Sequence, residues 1–234
     1  MNIHLQNYHN NGFWQILGWV DKELLQFFSY LENSGINQTG GIAEIGVHHG
    51  RFFYLLNSTV ADNHKSYAVD IFEDQHLNVD GSGNGSLGWF LRNKQFDRHK
   101  GQNVEVVKGD STDPTLKLIH KMGRGKIKYF SIDGGHNAQH VMNDLKIAEK
   151  TINNQGVVIV DDILHPCWMG VLEGTLEYLR AYPTLVPFSI GCNKLFLCKM
   201  SYLPFYLDYV KKYEWHNKQY GRKFFGHDIV PIHV

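Results

Sequence analysis

Three carboxylates stand at the ends of two apolar runs. Asp133 follows the run Tyr129–Ile132, and Asp161 and Asp162 follow the run Val157–Val160. Short apolar runs are typical of buried strands, and open α/β sheets bind ligands at the carboxyl ends of adjacent strands. Three carboxylates meeting there would repel one another without a cation, and oxygen ligands favour Mg²⁺, with Mn²⁺ or Ca²⁺ as substitutes. The pattern therefore predicts a metal site at Asp133, Asp161 and Asp162.

A histidine follows the first of these carboxylates. His136 stands three residues after Asp133, and an imidazole with an ordinary pKa of about 6.5 can accept a hydroxyl proton near neutral pH. We therefore predict that His136 is a general base beside the metal. Two alternatives stay open. His136 and His140, four residues apart, would suit zinc and hydrolysis, and the adjacent aspartates could instead cap a helix or form salt bridges.

A glycine-containing turn predicts a cofactor site. Glu44, Gly46 and Gly50 span the end of an apolar run and the start of a helical stretch, where Gly46 would allow a tight turn and Gly50 close packing. The turn lacks the GxGxxG pattern of dinucleotide sites, because Glu44 replaces the first glycine and would repel a pyrophosphate. The sequence therefore indicates a cofactor without phosphates.

Two further acids end the next apolar runs. Asp70 follows the second run, where a carboxylate can accept hydrogen bonds from two ribose hydroxyls. Asp110 ends the third run, and Ser111 after it would neighbour an adenine ring. In the alternative interpretation, these residues are only turn glycines and helix-capping acids.

The elements that must position these residues alternate along the chain. Apolar runs predict seven strands, namely Gly41–Ile45, Ser66–Val69, Val104–Val107, Ile127–Ile132, Gly156–Val160, Thr184–Ile190 and Lys194–Met200. Several intervening segments, such as Asn137–Thr151, are long enough for crossover helices. This alternation predicts a Rossmann-like, doubly wound α/β sheet that is mostly parallel. The last two runs leave room only for a turn, so they predict a hairpin with an antiparallel final strand.

Two other segments have recognisable patterns. Apolar residues at three- and four-residue steps predict a helix at Phe13–Leu31. The glycines of the segment 80–88 predict a loop, which is either a lid over the site or a plain surface loop. We call it the glycine-rich segment.

Composition narrows the class of protein. The 234 residues suit one domain, with an N-terminal helical segment (1–39), a cofactor-binding core (40–200) and a C-terminal aromatic extension (201–234). Lys plus Arg and Asp plus Glu each total 23, so the formal net charge is zero and nucleic acid is not an expected partner. No apolar run approaches the ~20 residues of a membrane span. We expect a cytoplasmic protein acting on a small molecule, and a homo-oligomer is compatible with the sequence.

Several motifs resemble those of a known family. The segments Glu44–Gly50, Gly109–Ser111 and Ile132–His136, the last followed by Asp144, resemble the class I S-adenosylmethionine-dependent methyltransferases. Within that superfamily, residues 40–200 are similar to the metal-dependent O-methyltransferases, notably the group acting on macrolide and aminocoumarin sugars. The resemblance implies S-adenosyl-L-methionine as the methyl donor and a seven-stranded sheet with an antiparallel last strand.

The resemblance also implies roles for individual residues. It implies donor binding for Glu44, Gly46, Asp70 and Asp110, and we predict a donor site formed by these together with Gly50, Ser111 and Asp133. In the sugar enzymes a histidine at the position of His136 is the base, whereas the catechol type has lysine there. We therefore expect an O-methyltransferase, with Mg²⁺, acting on a hydroxyl of a sugar, glycoside or related small molecule. The alternatives are a methyltransferase-like protein that binds the cofactor without turnover and a nicotinamide-dependent oxidoreductase.

Overall fold

All seven apolar runs that predicted strands form strands, and further short strands follow them. The structure is a computed structural model that describes residues 2–37, 39–212 and 222–232. Its strands are β1 (Gly41–Ile45), β2 (Ser66–Asp70), β3 (Val104–Lys108), β4 (Ile127–Ile132), β5 (Ile152–Val160), β6 (Leu185–Gly191), β7 (Lys194–Lys199), β8 (Lys223–Phe224), β9 (His227–Asp228) and β10 (Val230–Pro231). Strands β8 and β9 pair separately, and the others form one sheet in the order β10-β6-β7-β5-β4-β1-β2-β3.

The strand directions confirm the predicted fold class. Strands β3, β2, β1, β4 and β5 are paired in parallel, whereas β7 is antiparallel to both β5 and β6. The predicted hairpin joins β6 to β7 through Cys192 and Asn193, which have φ values of 52° and 56°. Two successive residues with positive φ match the right-handed twist of a hairpin. The sheet has one strand more than predicted, because the two-residue β10 is too short to show a periodic pattern.

Eight α-helices accompany the strands in the described part of the chain. They are α1 (Ile3–Tyr8), α2 (Glu23–Asn33), α3 (Arg51–Asn57), α4 (Leu87–Asn93), α5 (Leu118–Met122), α6 (Ala138–Thr151), α7 (Met169–Ala181) and α8 (Leu203–Val210). All residues of β1, β2 and β4 are buried. Burial on both faces explains why these strands read as mainly apolar runs, and it gives the sheet a hydrophobic core on each side.

The predicted helix Phe13–Leu31 is wrong over its first half. Only Glu23–Asn33 is α-helical, and residues 14–22, which we call the N-terminal strap, run without an α-helix along the edge of a cavity. Arg51 explains the difference. Its guanidinium donates to the Gly18 carbonyl at 2.6 Å and lies 4.2 Å from the centre of the Phe13 ring. These contacts with another part of the chain override the local helical pattern.

The C-terminal extension begins with α8, whose Tyr206 and Val210 are buried in the core on one side of the sheet. The described start of the aromatic extension is therefore a helix that packs on the sheet. Residues 213–221 of the extension lie outside the described residues. Across the described ranges, no helix combines the length and the apolar character needed to cross a membrane.

Candidate active site

A cavity of about 980 Å³ opens at the carboxyl ends of the parallel strands. Its volume lies at the upper end of the range for small-molecule sites, so it has room for a cofactor and a second ligand. Residues that leave parallel strands at the same edge converge there. The predicted site residues that line the cavity are Glu44, Gly46, Asp70, Asp110, Ser111, Asp133, His136, Asp161 and Asp162.

The two glycines of the first turn have different structural tasks. Gly46 has a φ of 86°, and a Cβ atom there would lie 1.8 Å from the backbone oxygen of Asp133. Glycine is therefore required for β1 and β4 to end so close together. Gly50 has a φ of 90° where α3 begins, and a Cβ atom would lie 2.7 Å from the Tyr54 ring and 2.9 Å from the Phe90 ring. Gly50 thus serves packing behind the turn.

Asp70 ends β2, and backbone amides hold its carboxylate. Oδ2 accepts a hydrogen bond from the amide of His48 at 2.7 Å, and Oδ1 accepts one from the amide of Phe72 at 2.5 Å. Burial raises the pKa of Asp70, and the two amides oppose that rise. A carboxylate fixed in this way keeps lone pairs for ligand hydroxyls. The glycine-rich segment lies against it, because a Cβ atom on Gly85 would be 2.9 Å from Oδ1.

Asp110 and Ser111 follow β3 at another part of the cavity. Asp110 Oδ1 accepts hydrogen bonds from the amide and the hydroxyl of Thr112, both at 2.8 Å. Burial acts to raise the pKa of Asp110, but these bonds and the nearby His140 outweigh it, so the pKa lies below its ordinary value. The side-chain amide of Asn143 donates to the Ser111 carbonyl at 3.0 Å. Asp110 and Ser111, which were predicted to bind the methyl donor, are therefore both held by specific hydrogen bonds.

His140 belongs to the same end of the cavity as Asp110. Its Nε2 lies 3.4 Å from Asp110 Oδ2, and its Nδ1 lies 2.9 Å from Asn137 Oδ1. Both ring nitrogens therefore have partners other than a metal shared with His136. This geometry does not support the alternative of a zinc site made by the two histidines.

A buried lysine lies among Glu44, Asp133 and Asp161. Lys194, at the start of β7, is buried and forms an ion pair with Asp161. Glu44 is 1 % exposed, and burial raises its pKa to about 8 although Lys194 acts to lower it. Burial and the neighbouring Asp161 raise the pKa of Asp133 well above its ordinary value, again against Lys194. One cation thus faces three carboxyl groups, and the raised pKa values of Glu44 and Asp133 show that burial disfavours their ionised forms, which a cationic ligand would stabilise.

Three side chains form a candidate metal site among the described residues. Ligand atoms of Asp133, His136 and Asp162 all lie within 4.8 Å of one another. The predicted set contains Asp161 in place of His136, but Asp161 is engaged elsewhere: Oδ2 pairs with Lys194 and Oδ1 accepts from the amide of Asp162 at 2.8 Å. Both arrangements offer at least two carboxylate ligands, which suit a divalent cation.

His136 lies between two carboxylates. Its Nδ1 is 2.8 Å from Asp80 Oδ2, and its Nε2 is 3.2 Å from Asp162 Oδ2. Burial acts to lower the pKa of His136, but the bonds to Asp162 and Asp80 raise it more, so the pKa lies above its ordinary value. The imidazole also stacks on Trp168, with ring centres 4.5 Å apart. The side-chain amide of Asn193 holds Asp162 in turn, donating to Oδ1 at 2.6 Å.

The N-terminal strap forms a further wall that sequence reasoning missed. Trp14, Leu17 and Trp19 line the cavity and are 61 %, 63 % and 77 % exposed. Trp19 also packs on His48, with ring centres 5.3 Å apart. Large apolar side chains left exposed at a cavity commonly mark the surface that a ligand covers. The predicted helix concealed this role, because it assigned Leu17 to a buried helical face.

Asp80, Trp168 and Lys194 were also missed as site residues. Asp80 lies in the glycine-rich segment, which the sequence predicted as either a lid or a surface loop. Trp168 follows β5 in a connection without a motif. Lys194 did carry a signal, because a lysine opening an otherwise apolar strand has to reach water or a carboxylate.

Solved structures resemble this fold at low sequence identity. An O-methyltransferase from Bacillus cereus in complex with SAH is 16 % identical to this chain, with a TM-score of 0.57. The match covers 84 % of this chain and 90 % of the Bacillus cereus chain. CalS11, a TDP-rhamnose 3'-O-methyltransferase of calicheamicin biosynthesis, is 16 % identical to this chain, with a TM-score of 0.54. The match covers 75 % of this chain and 78 % of CalS11. MycE from the mycinamycin pathway, in complex with Mg and SAH, is 16 % identical to this chain, with a TM-score of 0.50. The match covers 78 % of this chain and 51 % of MycE. These likenesses establish the fold.

The family comes from a match along the sequence. No curated protein matches the chain. The family model described as a methyltransferase domain matches residues 43–163, which is just over half of the chain and spans β1 to the end of β5. The match supports neither a nicotinamide-dependent oxidoreductase nor a binding protein without turnover. The chain belongs to the methyltransferase domain family and is an S-adenosylmethionine-dependent methyltransferase.

Proposed function

We propose that the protein is an O-methyltransferase that methylates a hydroxyl of a small molecule, such as a sugar or glycoside, with the help of a divalent cation. The observation that carries this proposal is the position of His136. Its Nε2 lies 3.2 Å from Asp162 and in one group with Asp133, in the same cavity as Glu44 and Asp70. A proton acceptor beside carboxylates suited to a cation is the arrangement that activation of an alcohol requires.

The donor side of the cavity suits S-adenosylmethionine. Asp70 would accept hydrogen bonds from the ribose hydroxyls, and Asp110 with Ser111 would border the adenine. The donor carries positive charge on its sulfonium and its amino group. Burial raises the pKa of Glu44 to about 8, and a positively charged ligand beside it would favour its ionised form, so this group favours a cationic ligand over a phosphate-bearing one. The Bacillus cereus structure with bound SAH, the product of methyl transfer, supports the same assignment.

The acceptor side must make a weakly acidic hydroxyl nucleophilic. A divalent cation held by Asp133, Asp161 and Asp162 would supply a Lewis acid that lowers the pKa of the hydroxyl. His136 would take the hydroxyl proton at Nε2, while its Nδ1 stays bonded to Asp80. Trp168 and the N-terminal strap would exclude water from the reacting groups. MycE, a structural neighbour, contains Mg and SAH, and CalS11 is a rhamnose O-methyltransferase, which supports this choice of metal and acceptor class.

The third metal ligand distinguishes two arrangements. We propose Asp161, because three carboxylates suit Mg²⁺ and leave His136 free to act as the base. The rival set uses His136 itself. Mn²⁺ affinity, measured by electron paramagnetic resonance, separates them: we expect Asp161→Asn to weaken binding tenfold or more and His136→Ala to change it little. The opposite result would assign His136 to the metal and remove it as the base.

Turnover tests the function as a whole. Methyl transfer from labelled S-adenosylmethionine should be measured across a panel of sugars, glycosides and phenols, with Mg²⁺ and with excess chelator. We expect methyl transfer to a hydroxyl, at a rate that depends on the metal. We expect His136→Ala to lower this rate by about 10²–10⁴-fold and to leave the SAH affinity unchanged. Asp62→Asn, at an aspartate whose side chain is 85 % exposed, is the matched control. Full activity in chelator would refute the metal role, and transfer to nitrogen or carbon alone would refute the reaction class.

A small-molecule partner and a cavity of this size are consistent with each other. The cytoplasmic location, the homo-oligomer and the single-domain organisation with its three segments stay predictions.

A further inference from the structure

Asp80 makes two hydrogen bonds to His136 from a distant part of the chain. Its Oδ2 accepts from the backbone amide of His136 at 2.9 Å and lies 2.8 Å from the ring Nδ1. The hydroxyl oxygen of Ser82 lies 3.2 Å from the same nitrogen. Each ring nitrogen faces a carboxylate, but Nδ1 has two oxygen partners and the shorter contact, 2.8 Å to Asp80 against 3.2 Å from Nε2 to Asp162. This difference favours the form of the ring in which Nδ1 carries the proton. The neutral ring then has its lone pair on Nε2.

Hydrogen bonds within the turn hold Asp80 in place. Asp80 Oδ1 accepts from the amide of Ser82 at 2.9 Å and also from its hydroxyl. Asn78 accepts from the amide of Gly81 at 2.9 Å and donates to the Ser82 carbonyl at 2.7 Å. Burial acts to raise the pKa of Asp80, but the bonds from Ser82 and His136 outweigh it and keep the pKa below its ordinary value. The carboxylate is therefore ionised and fixed.

The other contacts of the ring leave one nitrogen for chemistry. Trp168 stacks on one face of His136 with an interplanar angle of 17°, which fixes the plane of the imidazole. With Nδ1 bonded to Asp80, Nε2 points to Asp162 at the acceptor side of the cavity. Such an arrangement of carboxylate, imidazole and reacting hydroxyl resembles the way a buried aspartate selects the tautomer of a catalytic histidine.

We propose that Asp80 is the positioning residue of His136, fixing its tautomer and aiming Nε2 at the acceptor hydroxyl. This inference rests on the proposed function, because it assigns His136 as the base. It also decides between the two interpretations of the glycine-rich segment, since a plain surface loop would not hold the ring. The segment is part of the active site and delivers Asp80 to it.

The tautomer of His136 can be measured without knowing the acceptor. The full chain, labelled with ¹⁵N in its histidines, is examined by long-range ¹H–¹⁵N correlation at alkaline pH, where the imidazole is neutral, and His136→Ala assigns the signals. We expect the Nδ1–H tautomer in the unmodified protein. In Asp80→Ala we expect a mixture in which Nε2–H predominates, while Asp62→Asn keeps the original spectrum. SAH affinity within about threefold of the original verifies that the variants fold.

Turnover and a second variant complete the test. On whichever acceptor of the panel reacts, we expect Asp80→Ala to lower kcat by about 10–10²-fold with little change in KM for the donor, since Asp80 acts through His136. If Asp80→Ala loses SAH binding, Asp80→Asn, of nearly equal size, takes its place. An unchanged tautomer in a folded variant overturns the proposal and leaves the proposed methyl transfer intact. A shifted tautomer with full turnover in His136→Ala refutes the base and, with it, the catalytic purpose of Asp80.

Discussion

Replacement of Glu44 by glutamine should flatten the dependence of protein stability on pH. Glu44 lies in β1 with 1 % of its surface exposed, and burial raises its pKa from 4.5 to about 8. Between these two pH values the folded protein holds a proton on Glu44 that the unfolded chain has released. Raising the pH therefore favours the unfolded chain, and the stability is lost progressively from about pH 4.5 to about pH 8.

The size of the effect follows from the same pKa. The difference between about 8 and 4.5, at roughly 1.4 kcal/mol per pH unit, corresponds to about 5 kcal/mol. Glutamine cannot ionise, so Glu44→Gln should lack this contribution and be the more stable protein at alkaline pH. The gain will fall short of about 5 kcal/mol, because Glu44 Oε2 has no hydrogen-bond partner among the described residues and a glutamine amide there would also be unpaired.

Urea unfolding at several pH values between about 5 and 9, without metal or donor, measures the effect. We expect the free energies of unfolding of the two proteins to diverge as the pH rises. Glu177→Gln, at an exposed position of α7, is the control and should follow the unmodified protein. Parallel curves for Glu44→Gln and the unmodified protein would refute the reasoning, because they would mean that Glu44 is ionised in the folded state. SAH binding should weaken in Glu44→Gln if the carboxylate contributes to the donor site.

Three other substitutions probe the packing of the site. Gly46→Ala should destabilise the protein by at least about 2 kcal/mol and abolish SAH binding, because its Cβ would overlap the Asp133 carbonyl; an unchanged unfolding midpoint would contradict this. Lys194→Met should cost about 3–5 kcal/mol by leaving Asp161 unpaired, and Mg²⁺ should restore part of that loss in urea titrations; a stable variant indifferent to metal would argue against the buried pair. Arg51→Ala should release the N-terminal strap, seen as faster proteolysis there and altered tryptophan emission, and equal cleavage rates would show that Arg51 does not hold it.

The parts of the fold that follow from local patterns were predictable. Strands such as β1 and β4 are buried along their whole length, so their residues form mainly apolar runs with bounds that the sequence shows directly. Because parallel strands end at one edge of the sheet, acids that follow such runs, including Asp70 and Asp133, had to converge. That reasoning needs only the positions of the runs and the direction of the crossovers, and both are local properties.

Partnerships between distant segments could not be predicted in the same way. No sequence pattern around Asp80 indicates His136 as its partner, and none around Lys194 indicates Asp161. Each pair joins residues that are far apart in the chain and meet only in the folded structure. The distinction matters for the chemistry. In the proposed mechanism the strand-end acids bind the cation, whereas the distant partners decide which carboxylate is available to it and which ring nitrogen accepts the proton. Local motifs therefore predict the reaction class. The positions of the reacting atoms depend on contacts that only the folded chain makes.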